Sequence, residues 1–261
     1  MRERRLEGAL KVLVTFALEN EFAPWRKMAR FQCVAVSGSQ RWYEAQIGSA
    51  DVRAVVSGTG RLAAQRAMNS AFDESPDFCI ASGLAGALKA DYLPGQVLAA
   101  RHVTEMKSGK SLPSDTELLQ VAAESGANVV ERFLVTERVV ATVAEKHELA
   151  ARGDAVEMES AYVLAAAAQK GIRAVAIRSV SDAVDRDLPL DFDSVFDENG
   201  QVKISKVIGQ VAAKPSRVGG LIRLAEDSSR AASSLANFLN AFVQVLPAIP
   251  QGIAHADALA P

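Results

Sequence analysis

The sequence has few of the residues that build metal centres and disulfide frameworks. Its 261 residues include two cysteines, Cys33 and Cys79, and three histidines, His102, His147 and His255. Two cysteines are too few for a disulfide framework or a tetrahedral cysteine site, and the histidines lack metal-ligand spacing. We therefore expect no metal site.

An excess of charge of one sign is also missing. Lys plus Arg is 29 and Asp plus Glu is 31, so the net charge is −2. A nucleic-acid-binding protein needs surplus cations, so this balance argues against a nucleic-acid partner. No run reaches the roughly 20 apolar residues that cross a membrane. The basic and then apolar start is interrupted by Glu19 and Glu21 and lacks a cleavage site, so we expect a cytoplasmic protein without a membrane span.

Short apolar runs alternate with longer amphipathic stretches along the first 185 residues. The expected strands are 11–18, 31–37, 42–47, 54–57, 78–82, 95–103, 129–136, 155–156 and 173–179. The expected helices are 61–72, 115–125, 143–151 and 158–170. This alternation is typical of an α/β domain with a largely parallel, buried sheet.

The last third of the chain changes character. Helices are expected at 202–211 and 217–245, and a frayed end at 247–261. The second helix carries an apolar stripe from Leu221 to Phe242, which favours core or dimer packing over a cofactor site. Because no repeat or linker is present, we expect a single domain, 1–261, with a C-terminal helical extension from about 200.

Polar or glycine residues follow several expected strands, where ligands bind in an open α/β sheet. Glu21 follows the first strand, and its position favours a solvated helix start over a general base. Two expected glycine turns, 57–60 and 82–86, contain Gly58 and Gly83 and can bring backbone close to a ligand. The same segments are also consistent with tight strand-to-helix turns that bind no ligand. Neither matches a phosphate-binding loop or a dinucleotide fingerprint, so no cofactor is expected and an oxidoreductase is excluded.

Two later motifs carry charged residues. Glu157 and Glu159 enter a helix two residues apart, so one can face a cavity while the other serves the helix dipole. Arg178 and Asp182 are expected on one face of a strand, where the arginine can hold the charge of the aspartate. A structural ion pair would give the same pattern, and spacing alone does not name a reaction.

The strings VEMESA at 156–161 and RSVSD at 178–182 resemble the nucleoside phosphorylase and nucleosidase superfamily. That group contains bacterial purine nucleoside phosphorylase and 5′-methylthioadenosine/S-adenosylhomocysteine nucleosidase. The resemblance covers about residues 11–185, and the two glycine segments fall where the family has its glycine turns. Glu145, Lys146 and the segment 182–200 look like the hopanoid-associated phosphorylase branch.

The resemblance implies a three-layer α/β/α fold around a mixed, partly barrel-like sheet, in dimers or larger homo-oligomers. It also implies cleavage of the N-glycosidic bond of a nucleoside through an oxocarbenium-like transition state. By this resemblance Asp182 is the general acid for purine N7, and Glu159 binds the ribose hydroxyls.

Further roles follow from the same resemblance. Arg178 lies near the nucleophile, and Glu21 matches the glutamate that activates water in the nucleosidases. Met158 lies against the sugar. The remaining substrate-binding residues implied are Glu157, Ser181, Gly58, Gly83 and Leu84.

Departures from the family pattern bear on the nucleophile. Ala81 and Leu84 stand where bacterial purine phosphorylases place an Arg and a Ser for phosphate, and neither side chain donates a hydrogen bond. This favours hydrolysis over phosphorolysis. The alternative keeps phosphate as co-substrate, held by the amides of Gly58 or Gly86 with Arg178, or by Arg61.

The base-stacking Phe of the nucleosidases is missing, and Val139 or Val140 falls near its place. The segment between His102 and Ser114 is short, which suggests an open pocket for a large or lipid-bearing 5′ group such as that of adenosylhopane. A non-catalytic nucleoside-binding protein is the other alternative. The presence of all the charged residues favours an enzyme with a nucleoside substrate and a purine product.

Overall fold

One mixed β-sheet organises the described part of the chain. The computed structural model describes residues 9–73, 75–195, 197 and 203–246, so the frayed end expected at 247–261, His255 and residues 198–200 of the family-like segment lie outside it. Its strands are β1 (Leu10–Phe16), β2 (Gln32–Ser37), β3 (Gln40–Ile47), β4 (Ala50–Val56), β5 (Phe78–Ala87), β6 (Val97–Glu105), β7 (Ser111–Pro113), β8 (Asn128–Val135), β9 (Ala155–Glu157) and β10 (Arg173–Asp182). Its helices are α1 (Glu19–Met28), α2 (Arg61–Ala71), α3 (Thr116–Glu124), α4 (Val143–Leu149), α5 (Ser160–Gln169), α6 (Phe192–Val195), α7 (Ile204–Ala213) and α8 (Val218–Val245), with a 3-10 turn at Pro215–Arg217.

Five strands close into a barrel in the order β5–β10–β6–β8–β9 and back to β5. The pairs β5–β10, β6–β8 and β8–β9 are parallel, whereas β6–β10 and β5–β9 are antiparallel. Outside the barrel, β1 is parallel to β5 and β4, and β3 and β2 extend this arm in antiparallel fashion. The short β7 is antiparallel to β6. Half of the strand pairings are therefore antiparallel, so the expectation of a largely parallel sheet is wrong.

Helices cover the sheet on both sides because side chains alternate along each strand. On β1, Val12 and Val14 pack with residues of α1, α3 and α8. Leu13 points to the other side and packs with residues of α2 and α5. This arrangement confirms the three-layer α/β/α fold around a mixed, partly barrel-like sheet. Within the described ranges no helix is both long and apolar enough to span a membrane.

Barrel closure lengthens β5 and β10 beyond the predicted ends. The apolar pattern ends at Ser82 and Ser179, but the strands continue to Ala87 and Asp182. The added residues pair with each other, and the end of β5 also pairs with β9, so their backbone groups have partners on both sides. The predicted glycine turn at 82–86 is therefore wrong, because this segment is strand.

The other glycine segment does connect a strand to a helix. Gly58 and Gly60 have φ values of 94° and 81°, in the region that glycine adopts without strain, and α2 begins at the next residue, Arg61. The turn at 57–60 is confirmed.

Candidate active site

A cavity of about 510 Å³ lies at the ends of β1, β5, β9 and β10, between the barrel and helices α1, α6 and α8. The sequence-predicted residues that line it are Glu21, Leu84, Glu157, Met158, Glu159, Ser181 and Asp182. Arg178, Gly58 and Gly83 are not part of its wall. We call the side formed by Glu21, Glu157, Glu159, Ser181 and Asp182 the polar end.

Glu21 lies in the first turn of α1 but is buried rather than solvated. Its carboxylate accepts hydrogen bonds from the amides of Ala17 at 3.0 Å, Leu18 at 3.1 Å and Leu84 at 3.2 Å. Burial raises the pKa of Glu21, and the nearby Arg178 charge and the amide donors oppose that shift. The expectation of a solvated helix start is therefore wrong, because the loop and β5 turn this side chain inward.

Gly83 allows two charged groups to approach the same backbone position. A Cβ built on this residue would lie 2.5 Å from Arg178 Nη1 and 3.0 Å from Glu21 Oε2, and its φ is +141°. No side chain fits there without displacing one of these groups. Gly83 therefore lies behind the cavity wall, and its lack of a side chain leaves the space that Arg178 and Glu21 occupy.

Arg178 is completely buried beneath the polar end, and each of its three guanidinium nitrogens has a protein acceptor. Nη2 donates to Glu157, to Glu159 Oε2 at 3.3 Å and to Ser160 Oγ at 3.0 Å. Nε also reaches Ser160 Oγ, and Nη1 donates to the Leu84 carbonyl at 3.4 Å. This arginine binds two of the site's carboxylates and does not line the cavity.

Glu157 and Glu159 have different hydrogen-bond partners, as their spacing suggested. Glu157 accepts hydrogen bonds from the amides of Glu159 and Ser160 at 2.9 Å, which satisfies donors at the start of α5. This explains why the helix begins at Ser160 rather than at 158. Glu159 instead accepts from the Gly60 amide at 2.7 Å across the cavity edge.

The polar end carries more negative than positive charge. Arg178 is the cation beside Glu21, Glu157 and Glu159, and the cation Lys146 is paired with Asp182, so four carboxyl groups meet two cations. Burial raises the pKa of Glu159 to about 7; Arg178 opposes this shift, and the charges of Glu157 and Glu21 add to it. Such a site stabilises a developing positive charge and repels an anion.

Asp182 is held by a buried lysine that the sequence pattern did not mark as functional. Lys146 Nζ donates to Asp182 Oδ2 at 2.6 Å, and Ser181 Oγ donates to Oδ1 at 2.6 Å. The same ammonium donates to the carbonyls of Ala183 at 2.7 Å and Arg186 at 3.1 Å. The sequence placed Lys146 in the string that resembles the hopanoid-associated branch but gave it no role, and its side chain is fully buried although its helix is amphipathic.

Arg178 and Asp182 do not share a strand face, which corrects the expectation from alternation. Val180 pairs with Ala85 and Asp182 with Gly86, so Ser181 is an extra residue in β10. This β-bulge turns Asp182 to the opposite face, where it meets Lys146. A bulge adds one residue without changing the apolar pattern, so spacing alone could not reveal it.

The other side of the cavity is apolar, and we call it the apolar end. It is formed by the chain after β10 and by three helices, with the residues Leu188, Leu190, Phe192, Val195, Val207, Leu221 and Leu224. The stripe on α8 therefore has two roles. Its second half, including Leu235 and Phe242, packs in the core as expected, whereas its first half lines the cavity.

Of the residues considered for phosphate binding and for base stacking, some line the cavity and others do not. Ala81 is buried in the core and does not line the cavity, so only Leu84 of that pair faces it. Arg61 approaches Glu105 at 3.8 Å and is not part of the cavity wall. Val139 and Val140 line the cavity as expected. No cluster of His, Cys, Asp and Glu able to hold a metal occurs among the described residues.

Comparisons with known proteins give a family match and several proteins of similar fold. Residues 11–213 match the family model described as the phosphorylase superfamily. The 5′-methylthioadenosine/S-adenosylhomocysteine nucleosidase of Helicobacter pylori is similar in structure, with a TM-score of 0.71 and 17% identity over 92% of this chain and 100% of that one. Futalosine hydrolase of the same organism has a TM-score of 0.71 and 16% identity, with the same coverage. A nucleosidase from Neisseria meningitidis has a TM-score of 0.68 and 23% identity over 90% of this chain and 99% of that one.

Proposed function

The chain belongs to the phosphorylase superfamily, and from this premise we propose that it hydrolyses the N-glycosidic bond of an adenosine-type nucleoside. The substrate's sugar lies at the polar end against Glu159 and Met158, and its base lies near Asp182. Water attacks the anomeric carbon, the C–N bond breaks, and its electron pair leaves with the purine.

One observation carries the choice of water over phosphate: the anion donors of the site are already held by its own carboxylates. The Leu84 amide is bound by Glu21, the Gly60 amide by Glu159, and the start of α5 by Glu157. A phosphate ion would have to displace these carboxylates from Arg178, against their combined charge. A neutral water molecule meets no such opposition.

Glu21 is the proposed base for that water. Its pKa is raised by burial, and a carboxylate with a raised pKa accepts a proton more readily near neutral pH. Arg178 keeps it ionised from behind. The proton of the attacking water passes to Glu21, and the free sugar leaves with the oxygen of that water.

The Lys146–Asp182 pair is the proposed acid. The departing purine needs a proton at N7 to leave as a neutral base, and Asp182 is the carboxyl group of the pair that lines the cavity. Lys146 donates to it from the protein interior at 2.6 Å. The proton passes from the Asp182 carboxyl to N7, and the Lys146 ammonium stabilises the carboxylate that remains.

The apolar end supports a bulky apolar 5′ substituent on the nucleoside. A short polar sugar cannot fill a wall of Leu, Val and Phe side chains, whereas a lipid-like group would remove that surface from water. The similarity of Glu145, Lys146 and the segment 182–200 to the hopanoid-associated branch makes adenosylhopane the proposed substrate. We also propose that the chain is a single domain that works as a homodimer or larger assembly.

The deciding experiment is product identification by mass with adenosine and with 5′-alkyl adenosines, with and without phosphate. Free ribose or 5′-substituted ribose without phosphate, abolished in Glu21→Gln, supports hydrolysis. Glu19→Gln is the matched control, because Glu19 is in the same helical turn but binds Arg26 and Tyr43. Sugar 1-phosphate formed only with phosphate would make the protein a phosphorylase. Binding of nucleoside without any product would make it a binding protein.

A further inference from the structure

The surface formed by α7 and the start of α8 is basic and apolar at once. Residues 203–225 contain five cations and no Asp or Glu, although the whole chain is slightly acidic. We call this the α7–α8 surface, and its members are Lys203, Lys206, Ile208, Lys214, Arg217, Val218, Ile222 and Arg223.

Its apolar members are unusually exposed for large aliphatic side chains. Ile208 is 63% exposed and Ile222 is 55% exposed, and Val218 is exposed beside them. Helix α7 packs mainly on α6 and on the 3-10 turn. Aliphatic side chains that alternate with lysines on a helix are the composition of a segment that lies in a membrane interface.

We infer that the α7–α8 surface docks on an anionic lipid bilayer. Cations in this position are attracted to acidic headgroups, while the exposed isoleucines enter the boundary between headgroups and acyl chains. A second copy of the chain is a poorer partner, because a symmetric contact would bring five cations against five cations. Nucleic acid is also poorer, because residues 203–225 contain no aromatic side chain for base stacking.

Nearby acids define the limits of the surface. Glu226 and Asp227 follow it on α8, and Asp227 is engaged by Arg186 at 3.3 Å and Arg230 at 3.5 Å. The segment 185–197 that leads to α6 is acidic, and its Asp191 backbone is bonded to Gln210 on α7. The bilayer contact therefore belongs to the cationic side of α7 and the start of α8.

The helices that carry this surface also line the cavity. Val207 lines the apolar end while the next residue, Ile208, is exposed, and Leu221 and Ile222 repeat this arrangement on α8. The proposed bilayer contact and part of the cavity wall thus lie on the same two helices. If the proposed function holds, this placement brings the apolar end close to the membrane that would hold a lipid-bearing nucleoside.

The test is co-sedimentation of the full-length protein with vesicles. We expect binding to phosphatidylcholine vesicles that contain phosphatidylglycerol, little binding to pure phosphatidylcholine, and loss of binding at high salt. Lys206→Gln/Lys214→Gln should weaken binding about 25-fold, at about fivefold for each cation. Lys27→Gln/Lys170→Gln is the matched control, because both lysines are exposed and lie outside this surface.

A second variant tests the apolar contribution. Ile208→Ser/Ile222→Ser changes only exposed side chains, so we expect an intact fold with binding weakened at least tenfold. Hydrolysis of soluble adenosine by both variants should equal that of the wild type, so vesicle binding and activity are read separately. Absence of vesicle binding, an equal loss in the control pair, preference for DNA or RNA, or self-association through this surface would each overturn the inference.

Discussion

The two ends of the cavity are built by different means. At the polar end, every charged side chain is fixed by several hydrogen bonds to strand ends and helix starts, as Glu21 and Arg178 show. At the apolar end, side chains from α6, α7 and α8 form the wall by contact alone. Hydrogen bonds have narrow geometry, whereas apolar contacts tolerate changes of shape.

From this difference we expect the polar end to govern the rate of the reaction and the apolar end to govern which 5′ substituents are preferred. Changes at the polar end should alter the rate for every nucleoside, because they affect the groups that we propose act on the glycosidic bond. Changes at the apolar end should alter only the ranking of 5′ substituents. The predictions below test that division in order of expected size.

The largest effect is expected from Asp182→Asn. An amide keeps the shape and one acceptor oxygen, which can still accept a hydrogen bond from Lys146, but it cannot pass a proton to the leaving base. Turnover should fall about 10²–10⁴-fold for adenosine and for 5′-alkyl adenosines alike. Steady-state kinetics measure it, with thermal unfolding to show that the fold is intact.

Asp185→Asn is the matched control, because Asp185 is three residues further along and exposed, and we expect unchanged rates. Lys146→Met should also lower turnover, and the double variant Lys146→Met/Asp182→Asn should be no slower than Asp182→Asn alone, since the two groups act as a unit. Near-wild-type turnover in Asp182→Asn would remove this residue from the reaction.

A smaller loss is expected from Glu159→Gln. A carboxylate that accepts hydrogen bonds from sugar hydroxyls contributes about 1.5–3 kcal/mol for each bond. We expect kcat/KM for ribosides to fall about 10–100-fold, with a smaller fall for 2′-deoxyribosides. If the preference for ribose over deoxyribose stays the same in the variant, Glu159 does not bind the sugar.

At the apolar end, Leu221→Ala and Leu224→Ala should change selectivity and spare the chemistry. Each substitution removes part of the wall that a 5′-alkyl group would cover. We expect the preference for 5′-alkyl adenosines over adenosine to drop about tenfold for each leucine, with kcat for adenosine unchanged. Ile222→Ala, at an exposed neighbouring position, should change neither value, and a general loss of rate in the leucine variants would contradict the division of the cavity.

The smallest effect concerns pH and Glu159. With a pKa raised to about 7, its carboxylate fraction and hence kcat/KM should rise about threefold from about pH 6.5 to 7.5. Stability changes in the opposite direction. The folded state holds the proton more tightly than the unfolded chain, so stability falls as pH rises from the ordinary value of 4.5 towards 7. Both trends should weaken in Glu159→Gln but not vanish, because the pKa of Glu21 is raised as well. Rate profiles and unfolding at several pH values measure them.

Local pattern predicted most elements because strand-length apolar runs and helix signals are local properties. It took Glu21 for a helix start but gave no extent for the helix that follows, α1. It also ended β5 at Ser82, because glycines 83 and 86 look like a turn until the barrel supplies strand partners. The charged motifs were visible in the sequence, but their pairing was not: Arg178 binds Glu157 rather than Asp182, and Lys146 reaches its partner from 36 residues away. Such partners depend on topology.

Because β10 has an extra residue, the face on which Asp182 lies depends on the number of residues in the strand as well as on their chemistry. If β10 paired regularly with β5 through this segment, every charged side chain would remain in the sequence, yet Asp182 would pair one residue further along, at Ala87, and its carboxyl would share the face of Arg178, away from Lys146. A protein engineer who transplants this site to another barrel must therefore copy an irregular strand. Grafting the side chains onto an ideal one would place the acid on the wrong side of the wall.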